Sequence, residues 1–122
     1  MIKKADSTPE RGEIWWADLP APRASEPGFS RPVLIVQSDF FNRSRIQTIV
    51  AVGLTSNLRL AQAPGNVLLN SKKTGLPKDS VANISQITAL DKSSLRDFCG
   101  KLDEATLSRV ESGLKLLLGL FP

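Results

Sequence analysis

RPVLIVQ at residues 31–37 and IQTIVAVGL at residues 46–54 are the two segments that decide the fold of this chain. The first is apolar on both faces, which is typical of a central strand. The second is rich in β-branched residues, and its apolar side chains alternate along the chain. Strands separated by so short a connection usually pair as an antiparallel hairpin. A turn centred near Arg43 then places Arg31 opposite Thr55, on one face of the sheet.

Shorter segments extend this sheet on either side of the hairpin. Four further strands are predicted, at 12–19, 65–70, 81–90 and 96–102. The third of them is expected to bend near Asn83, and the segment 71–80 before it is expected to be a turn with three lysines. The intervals between strands are too short for crossover helices. The sheet should therefore be antiparallel and curled into a small barrel.

The last element has the periodicity of a helix. Apolar residues recur at helical spacing at Leu107, Val110, Leu114, Leu117 and Leu118. Asp103 is the expected N-cap, and Gly119 is the expected stop of a helix over 104–118. Gly113 inside the helix is expected to mark close packing. The fold class is thus mainly β with a C-terminal helix, of α+β type. Residues 1–122 are expected to form a single domain in which 1–10 are loosely held.

The composition excludes several kinds of chemistry. The 122 residues include no histidine, and Cys99 is the single cysteine. Catalysis by imidazole and zinc sites of the Cys/His type are therefore excluded, and no metal or cofactor is expected. A lone cysteine forms no internal disulfide, the polar N-terminus is not expected to be a signal peptide, and no run of 18 apolar residues occurs in the sequence. The cytoplasm is the expected location. The net charge of +4 is compatible with a phosphate-bearing partner but is weak support for one.

Three side chains suggest phosphate chemistry at the strand end. Arg31 offers a planar fork to two phosphate oxygens, and Thr55 can donate to a third. Glu26, five residues before Arg31 on a proline-rich loop, can fold back and accept a proton. The alternative is that Arg31 and Glu26 form an ordinary surface ion pair, and that Thr55 is only a good strand former. Residue spacing leaves both interpretations open.

A series of motifs from residue 11 onward resembles the MazF/PemK family of toxin endoribonucleases. The order and spacing of the motifs match the family pattern along the rest of the chain. They are Arg11-Gly12-Glu13-Ile14-Trp15, Ala24-Ser25-Glu26, Gly28-Phe29-Ser30-Arg31-Pro32-Val33-Leu34-Ile35-Val36, Ser38-Asp39 through Asn42, Leu54-Thr55-Ser56-Asn57 and Ser85-Gln86-Ile87.

The resemblance implies an SH3-like barrel that works as a homodimer and cuts single-stranded RNA, mainly mRNA, without a metal. It implies catalytic roles for Arg31, Thr55 and Glu26, and inhibition by a MazE-like antitoxin whose acidic tail occupies the same groove. RNA contacts are expected at Arg23, Gly28, Ser56, Asn57 and Gln86. Pro27 and Phe29 depart from the family pattern, in the part of the chain that bears on loop mobility and cleavage-site preference.

Two other functions and several roles stay open at this point. A toxin resembling CcdB has the same type of barrel and poisons DNA gyrase, and a non-catalytic RNA-binding barrel is the other alternative. Trp15 and Trp16 are either stacking platforms for bases or core residues. The lysines at 72, 73 and 78 are either phosphate contacts at the rim of the groove or part of a solvated turn. The bases recognised cannot be read from the sequence.

Overall fold

A computed structural model describes residues 7–19 and 29–120, and these form one antiparallel sheet with short helices and a long C-terminal helix. The order across the sheet is β4-β5-β3-β2-β1-β6. The strands are β1 (Glu13–Leu19), β2 (Phe29–Ile35), β3 (Thr48–Thr55), β4 (Val67–Leu69), β5 (Ser80–Asp91) and β6 (Leu95–Lys101). The helices are α1 (Asp39–Asn42), α2 (Ser71–Thr74) and α3 (Glu104–Leu118). The predicted fold class is confirmed.

The central hairpin has the predicted register. Val33 lies opposite Gly53, and Ile35 lies opposite Ala51. This ladder ends at Val33 and Gly53, and Arg31 and Thr55 are the residues two positions beyond it on the two strands. β2 lies between β1 and β3, so it is central, as its apolar character on both faces predicts.

Both faces of the sheet carry apolar clusters. Ile14, Leu34 and Val52 belong to a larger cluster on one face, which α3 covers through the buried Val110. Trp15 and Ile35 belong to a second cluster on the other face. This division follows from the alternation of side chains along each strand, because neighbours such as Ile14 and Trp15 point to opposite faces.

The two edges of the sheet approach each other through α2. This helix follows the edge strand β4 and packs against the other edge strand, β6. A methyl group on Gly100 would lie 2.3 Å from the carbonyl oxygen of Thr74, and one on Gly75 would lie 2.6 Å from that of Cys99. Gly75 also has a φ of +79°, in the left-handed region that ends the helix. The absence of a side chain at both positions thus permits the sheet to curl.

The C-terminal helix has the predicted ends. The Oδ1 atom of Asp103 accepts a hydrogen bond from the backbone N–H of Thr106 at 2.7 Å, and Gly119 ends the helix at a φ of +70°. Gly113 lies against the turn at Gly65, where an added methyl group would be 2.2 Å from the Gly65 carbonyl oxygen. The expectation that Gly113 marks close packing is confirmed.

Several local predictions differ from the structure. β3 begins at Thr48, and Ile46 is exposed. Pro32 lies inside β2 instead of at its start; this is tolerated because the pairing of β2 with β3 begins one residue later, at Val33. The predicted turn at 71–80 contains the short helix α2. The prediction of a single domain over the whole chain stays a prediction.

In the part of the chain that the structure describes, no helix is both long enough and apolar enough to cross a lipid bilayer.

Replacing Gly113 by alanine tests the close contact between α3 and the Gly65 turn. Alanine favours an isolated helix by about 1 kcal/mol over glycine. Here its methyl group collides with backbone, so we expect Gly113→Ala to lower the free energy of unfolding by about 1–3 kcal/mol. Ser112→Ala, at the preceding exposed position, should leave it within about 0.5 kcal/mol of the wild type. Chemical denaturation measures both; a Gly113→Ala protein as stable as the wild type would contradict the contact.

Candidate active site

Arg31 and Thr55 lie on neighbouring central strands and face the same two adjoining cavities. Each cavity has a volume of about 320 Å³, and both residues line both of them. Leu54, which is buried, forms part of the wall between the two cavities. Because the positions of β2 and β3 are fixed by their ladders, the guanidinium and the hydroxyl are carried by rigid backbone. The structure thus brings together the two residues that the hairpin register predicts to be close.

The hydroxyl of Thr55 is oriented by the backbone after β3. Its Oγ1 atom accepts a hydrogen bond from the backbone N–H of Asn57 at 3.2 Å. A hydroxyl that accepts at one lone pair keeps its hydrogen available to donate elsewhere. With the guanidinium of Arg31, which only donates, the cavities have donors suited to the non-bridging oxygens of a phosphodiester.

The first cavity has a mixed apolar and polar wall. Trp16 and Pro77 provide apolar surface, whereas Lys78 brings a positive charge. The remaining polar contributors are Ser30, Ser56 and Ser80. A cavity lined by an indole ring, a cation and several hydroxyls can accept both a base and its phosphate.

The second cavity lies beside a bulge in β5. Val52 pairs with Ile87, but Leu54 pairs with Ala82, so Gly53 alone faces the four residues 83–86. This bulge carries Asn83 and Gln86 into the cavity, where Thr88 lies beside them. Gly53 leaves room for the bulge, because a methyl group on Gly53 would lie 3.3 Å from the Cβ atom of Gln86. The predicted bend near Asn83 is confirmed, and bulges commonly redirect side chains at functional sites.

The other predicted contact residues are divided between the cavities and the rest of the chain. Ser56 lines the first cavity and Gln86 lines the second. Asn57 lines neither; its side chain caps the 3₁₀ helix at Leu58–Gln62 by accepting from the N–H of Arg59 at 3.2 Å. The three predicted loop residues lie outside the described residues, and their roles stay predictions: Arg23, Glu26 and Gly28.

The two tryptophans have different environments. Trp15 is fully buried, its indole N–H donates to the Glu13 carboxylate at 2.9 Å, and its ring meets that of Phe98 edge to face. It is a core residue and cannot stack on a base. Trp16 is half-buried and lines the first cavity next to Arg31. Of the two rings, that of Trp16 is therefore the candidate for stacking.

The three lysines and Cys99 are also distinguished by their contacts. Lys78 lines the first cavity, whereas Lys73 forms an ion pair with Asp103 at 2.8 Å. Lys72 is exposed and lines neither cavity.

Burial raises the pKa of the Cys99 thiol, which makes it a poor nucleophile at neutral pH. Within residues 7–19 and 29–120 there is no group of three or more Cys, Asp or Glu side chains that could hold a metal ion.

Asn83, Thr88 and Ser80 were not singled out as site residues from the sequence. The bend near Asn83 was recognisable, but its consequence depends on which residues of β5 leave the ladder, and that is set by pairing with β3. Ser80 and Thr88 gave no local signal, since the sequence places Ser80 at the end of the predicted turn 71–80 and Thr88 inside the predicted strand 81–90.

Comparison with known proteins gives a consistent assignment. Residues 10–118 match the family model described as PemK-like, MazF-like toxin of type II toxin-antitoxin system. The chain is 46% identical over 110 residues to endoribonuclease MazF2 of Mycobacterium bovis, covering 90% of this chain and 96% of that protein. It is 36% identical over 111 residues to endoribonuclease EndoA of Bacillus subtilis, covering 91% and 95% of the two chains.

Solved structures agree at the level of the fold. A mycobacterial endoribonuclease in complex with its cognate antitoxin superposes with a TM-score of 0.75 and 30% identity, covering 93% of this chain and 99% of that one. A MazE-MazF structure from Deinococcus radiodurans superposes with a TM-score of 0.79 and 24% identity, covering 95% of this chain and all of that one.

Quenching of tryptophan fluorescence tests the placement of the two rings. Trp16→Phe removes the ring that lines the cavity and leaves the buried Trp15 as the single emitter. We expect acrylamide to quench the folded variant several-fold less efficiently than the wild type, because the quencher must contact the ring. The same comparison in urea serves as the control, since both unfolded chains should be quenched readily. Equal quenching of the two folded proteins would contradict the placement.

Proposed function

We propose that this protein, which belongs to the PemK-like, MazF-like family of type II toxin–antitoxin toxins, is an endoribonuclease that cuts single-stranded RNA with Arg31 and Thr55 as its central catalytic pair. The observation that carries the proposal is the position of these two donors. They lie on adjacent rigid strands and line the same two cavities. The names of the relatives, endoribonucleases that are up to 46% identical to this chain, support the same activity.

The reaction uses the RNA's own 2′-hydroxyl as the nucleophile. Its oxygen bonds to the adjacent phosphorus and loses its proton, while the bond from phosphorus to the 5′-oxygen breaks and that oxygen gains a proton. The products are a 2′,3′-cyclic phosphate and a 5′-OH end. DNA lacks the attacking hydroxyl and is not cut. Neither a metal nor a redox partner enters this balance.

The two donors act where charge develops in the transition state. Negative charge accumulates on the non-bridging oxygens, so donors already in position stabilise it more than they stabilise bound substrate. The Arg31 fork contacts two of these oxygens, and the Thr55 hydroxyl donates to one of them. Removal of one donor of this type typically costs about 3–4 kcal/mol of transition-state stabilisation.

Proton transfer is assigned to Arg31 with help from Glu26. A carboxylate is chemically the easier base, because an ordinary guanidinium stays protonated at neutral pH. Glu26 belongs to the segment between β1 and β2, which the family resemblance implies to cover the RNA. Arg31 is the principal residue of the pair, since β2 holds it on rigid backbone.

The cavities supply contacts for the bases on either side of the cut. Trp16 provides a stacking surface in the first cavity, and Lys78 provides a phosphate contact at its rim. Ser56 and Gln86 contact the RNA from the first and second cavities, with Arg23 and Gly28 contributing from the loop. The RNA must be unpaired, because the base edges are accessible only when splayed from the stack.

The partners of the protein follow from the same groove. A mycobacterial relative is described in complex with its cognate antitoxin. We propose that a MazE-like antitoxin inhibits this protein through an acidic segment that lies along the positively charged groove. The active form is a homodimer, and it acts in the cytoplasm.

The competing function is poisoning of DNA gyrase by a barrel that cleaves nothing. The paired donors at Arg31 and Thr55 disfavour it, because a binding toxin has no need to direct a guanidinium and an available hydroxyl into one cleft. Incubation of the purified protein with long single-stranded RNA in EDTA separates the two. Discrete fragments ending in cyclic phosphate support the nuclease, whereas intact RNA together with stalled gyrase contradicts it.

Replacing Arg31 by alanine should abolish cleavage and leave the fold intact. The side chain is exposed, so its loss costs little stability, but it removes the fork that stabilises the transition state. We expect the cleavage rate to fall by at least roughly a hundredfold. Arg109→Ala removes the same charge from an exposed position on α3 and should cleave at close to the wild-type rate. The assignment is wrong if Arg31→Ala, with an unchanged circular dichroism spectrum, cuts RNA as fast as the wild type.

A further inference from the structure

We infer that Asn83 determines specificity in this reaction by presenting a fixed N–H donor to the base next to the phosphodiester that is cut. The inference rests on the proposed function, because it assigns a base-reading role inside the same pair of cavities. A fixed donor selects a base that offers an acceptor at the contacted edge, and rejects one that offers an amino group there.

The orientation of the Asn83 amide is set by a chain of hydrogen bonds that begins at the backbone. The N–H of Ile84 donates to Oδ1 of Asn66 at 2.9 Å. A backbone N–H can only donate, so this atom of Asn66 must be the oxygen. If the Asn66 amide were rotated by half a turn, its NH₂ group would face the N–H of Ile84, and two donors would meet. The other side-chain atom of Asn66 is therefore the NH₂ group, Nδ2.

The next step transfers this polarity to Asn83. Nδ2 of Asn66 donates to the carbonyl oxygen of Leu60 at 2.8 Å and to Oδ1 of Asn83 at 3.2 Å. The hydroxyl of Ser85 donates to the same Asn83 oxygen at 3.5 Å. The NH₂ group of Asn66 can only donate, so the Asn83 atom that faces it is the carbonyl oxygen of the amide, and the Ser85 hydroxyl can donate to the same atom. The NH₂ group of Asn83 is then held on the side away from Asn66.

This NH₂ group is available for a ligand. It makes no hydrogen bond with residues 7–19 or 29–120, and no buried side-chain nitrogen or oxygen in those ranges lacks a partner. The nitrogen is therefore reached by solvent, although Asn83 as a whole is only half-exposed. Asn83 lines the second cavity together with Arg31 and Thr55, the two residues that are proposed to hold the phosphate.

Gln86 lies on the same bulge but cannot discriminate in the same way. Its side chain is exposed and makes no hydrogen bond within the described ranges, so its amide can rotate by half a turn. A free amide pairs equally well with an acceptor or a donor on a base. The fixed amide of Asn83 pairs only with a base that presents an acceptor. A base that presents a donor there leaves polar groups unpaired, and this penalty accounts for most of the discrimination in such sites.

The variant Asn83→Asp tests the inference by reversing the polarity at constant shape. Aspartate still accepts from Asn66 and Ser85, but it presents an acceptor where asparagine presents a donor. The experiment cuts a long RNA of mixed sequence in EDTA and sequences the 5′ ends of the fragments. We expect the preference at one position next to the cut to change from a keto base, uracil or guanine, to its amino counterpart, cytosine or adenine. Cleavage at wild-type sites should fall roughly tenfold to a hundredfold.

Gln62→Glu is the matched control. It makes the same amide-to-carboxylate change at an exposed position on the 3₁₀ helix that lines neither cavity. Its site profile should equal that of the wild type, which separates base reading from a general repulsion of RNA. An Asn83→Asp protein that cuts with an unchanged profile would overturn the inference and leave the proposed function standing. Intact RNA with the wild-type protein would instead overturn the proposed function, and this inference with it.

If Asn83→Asp is inactive or unfolded, modified RNA substrates test the inference with the wild-type protein. At the identified position, guanine is replaced by 2-aminopurine, which lacks O6, or uracil by pyrimidin-2-one, which lacks O4. We expect roughly tenfold slower cleavage at that site, because the donor of Asn83 then has no acceptor. Equal cleavage of the modified and unmodified substrates would contradict the inference.

Discussion

The antiparallel register between β2 and β3 is the constraint on which the rest of the site depends. Because Val33 lies opposite Gly53, the beginning of β2 lies beside the end of β3. Arg31 and Thr55, which occupy these two strand ends, are thereby brought to one place. A slip of one residue would turn one of the two side chains to the other face. The register is held by apolar side chains on both faces of β2, so the core that stabilises the fold also sets the geometry of the cleft.

The cleft is built from places where the regular sheet is interrupted. Gly53 lacks a side chain, β5 leaves its ladder over residues 83–86, and a 3₁₀ helix follows β3. At these interruptions the side chain of Asn66 forms hydrogen bonds with the N–H of Ile84, the carbonyl oxygen of Leu60 and Oδ1 of Asn83. Because these polar groups have partners, their partial burial costs little stability. The Thr55 hydroxyl and the Asn83 amide are thus oriented before any ligand arrives, which is the condition under which hydrogen bonds contribute most to specificity and rate.

Much of this architecture could be predicted from the sequence. The apolar runs predict the hairpin and its register, and the caps at Asp103 and Gly119 predict the ends of the C-terminal helix. These features could be predicted because each depends on a local sequence pattern. The contact between α2 and β6 could not be predicted, since it depends on glycines 25 residues apart, Gly75 and Gly100. The amide chain through Asn66 was missed for the same reason. The polarity of the chain comes from the backbone N–H of Ile84, which is 18 residues from Asn66, and no local pattern reveals that contact.

The central claim is that Arg31 and Thr55 act together on one phosphodiester. The most direct measurement is a double-mutant cycle of single-turnover cleavage rates with the wild type, Arg31→Ala, Thr55→Val and the double variant. Groups that stabilise one transition state as a unit are strongly non-additive. The account predicts that the double variant is about as slow as the slower single variant. Losses that simply multiply, or a Thr55→Val protein as fast as the wild type, would contradict it.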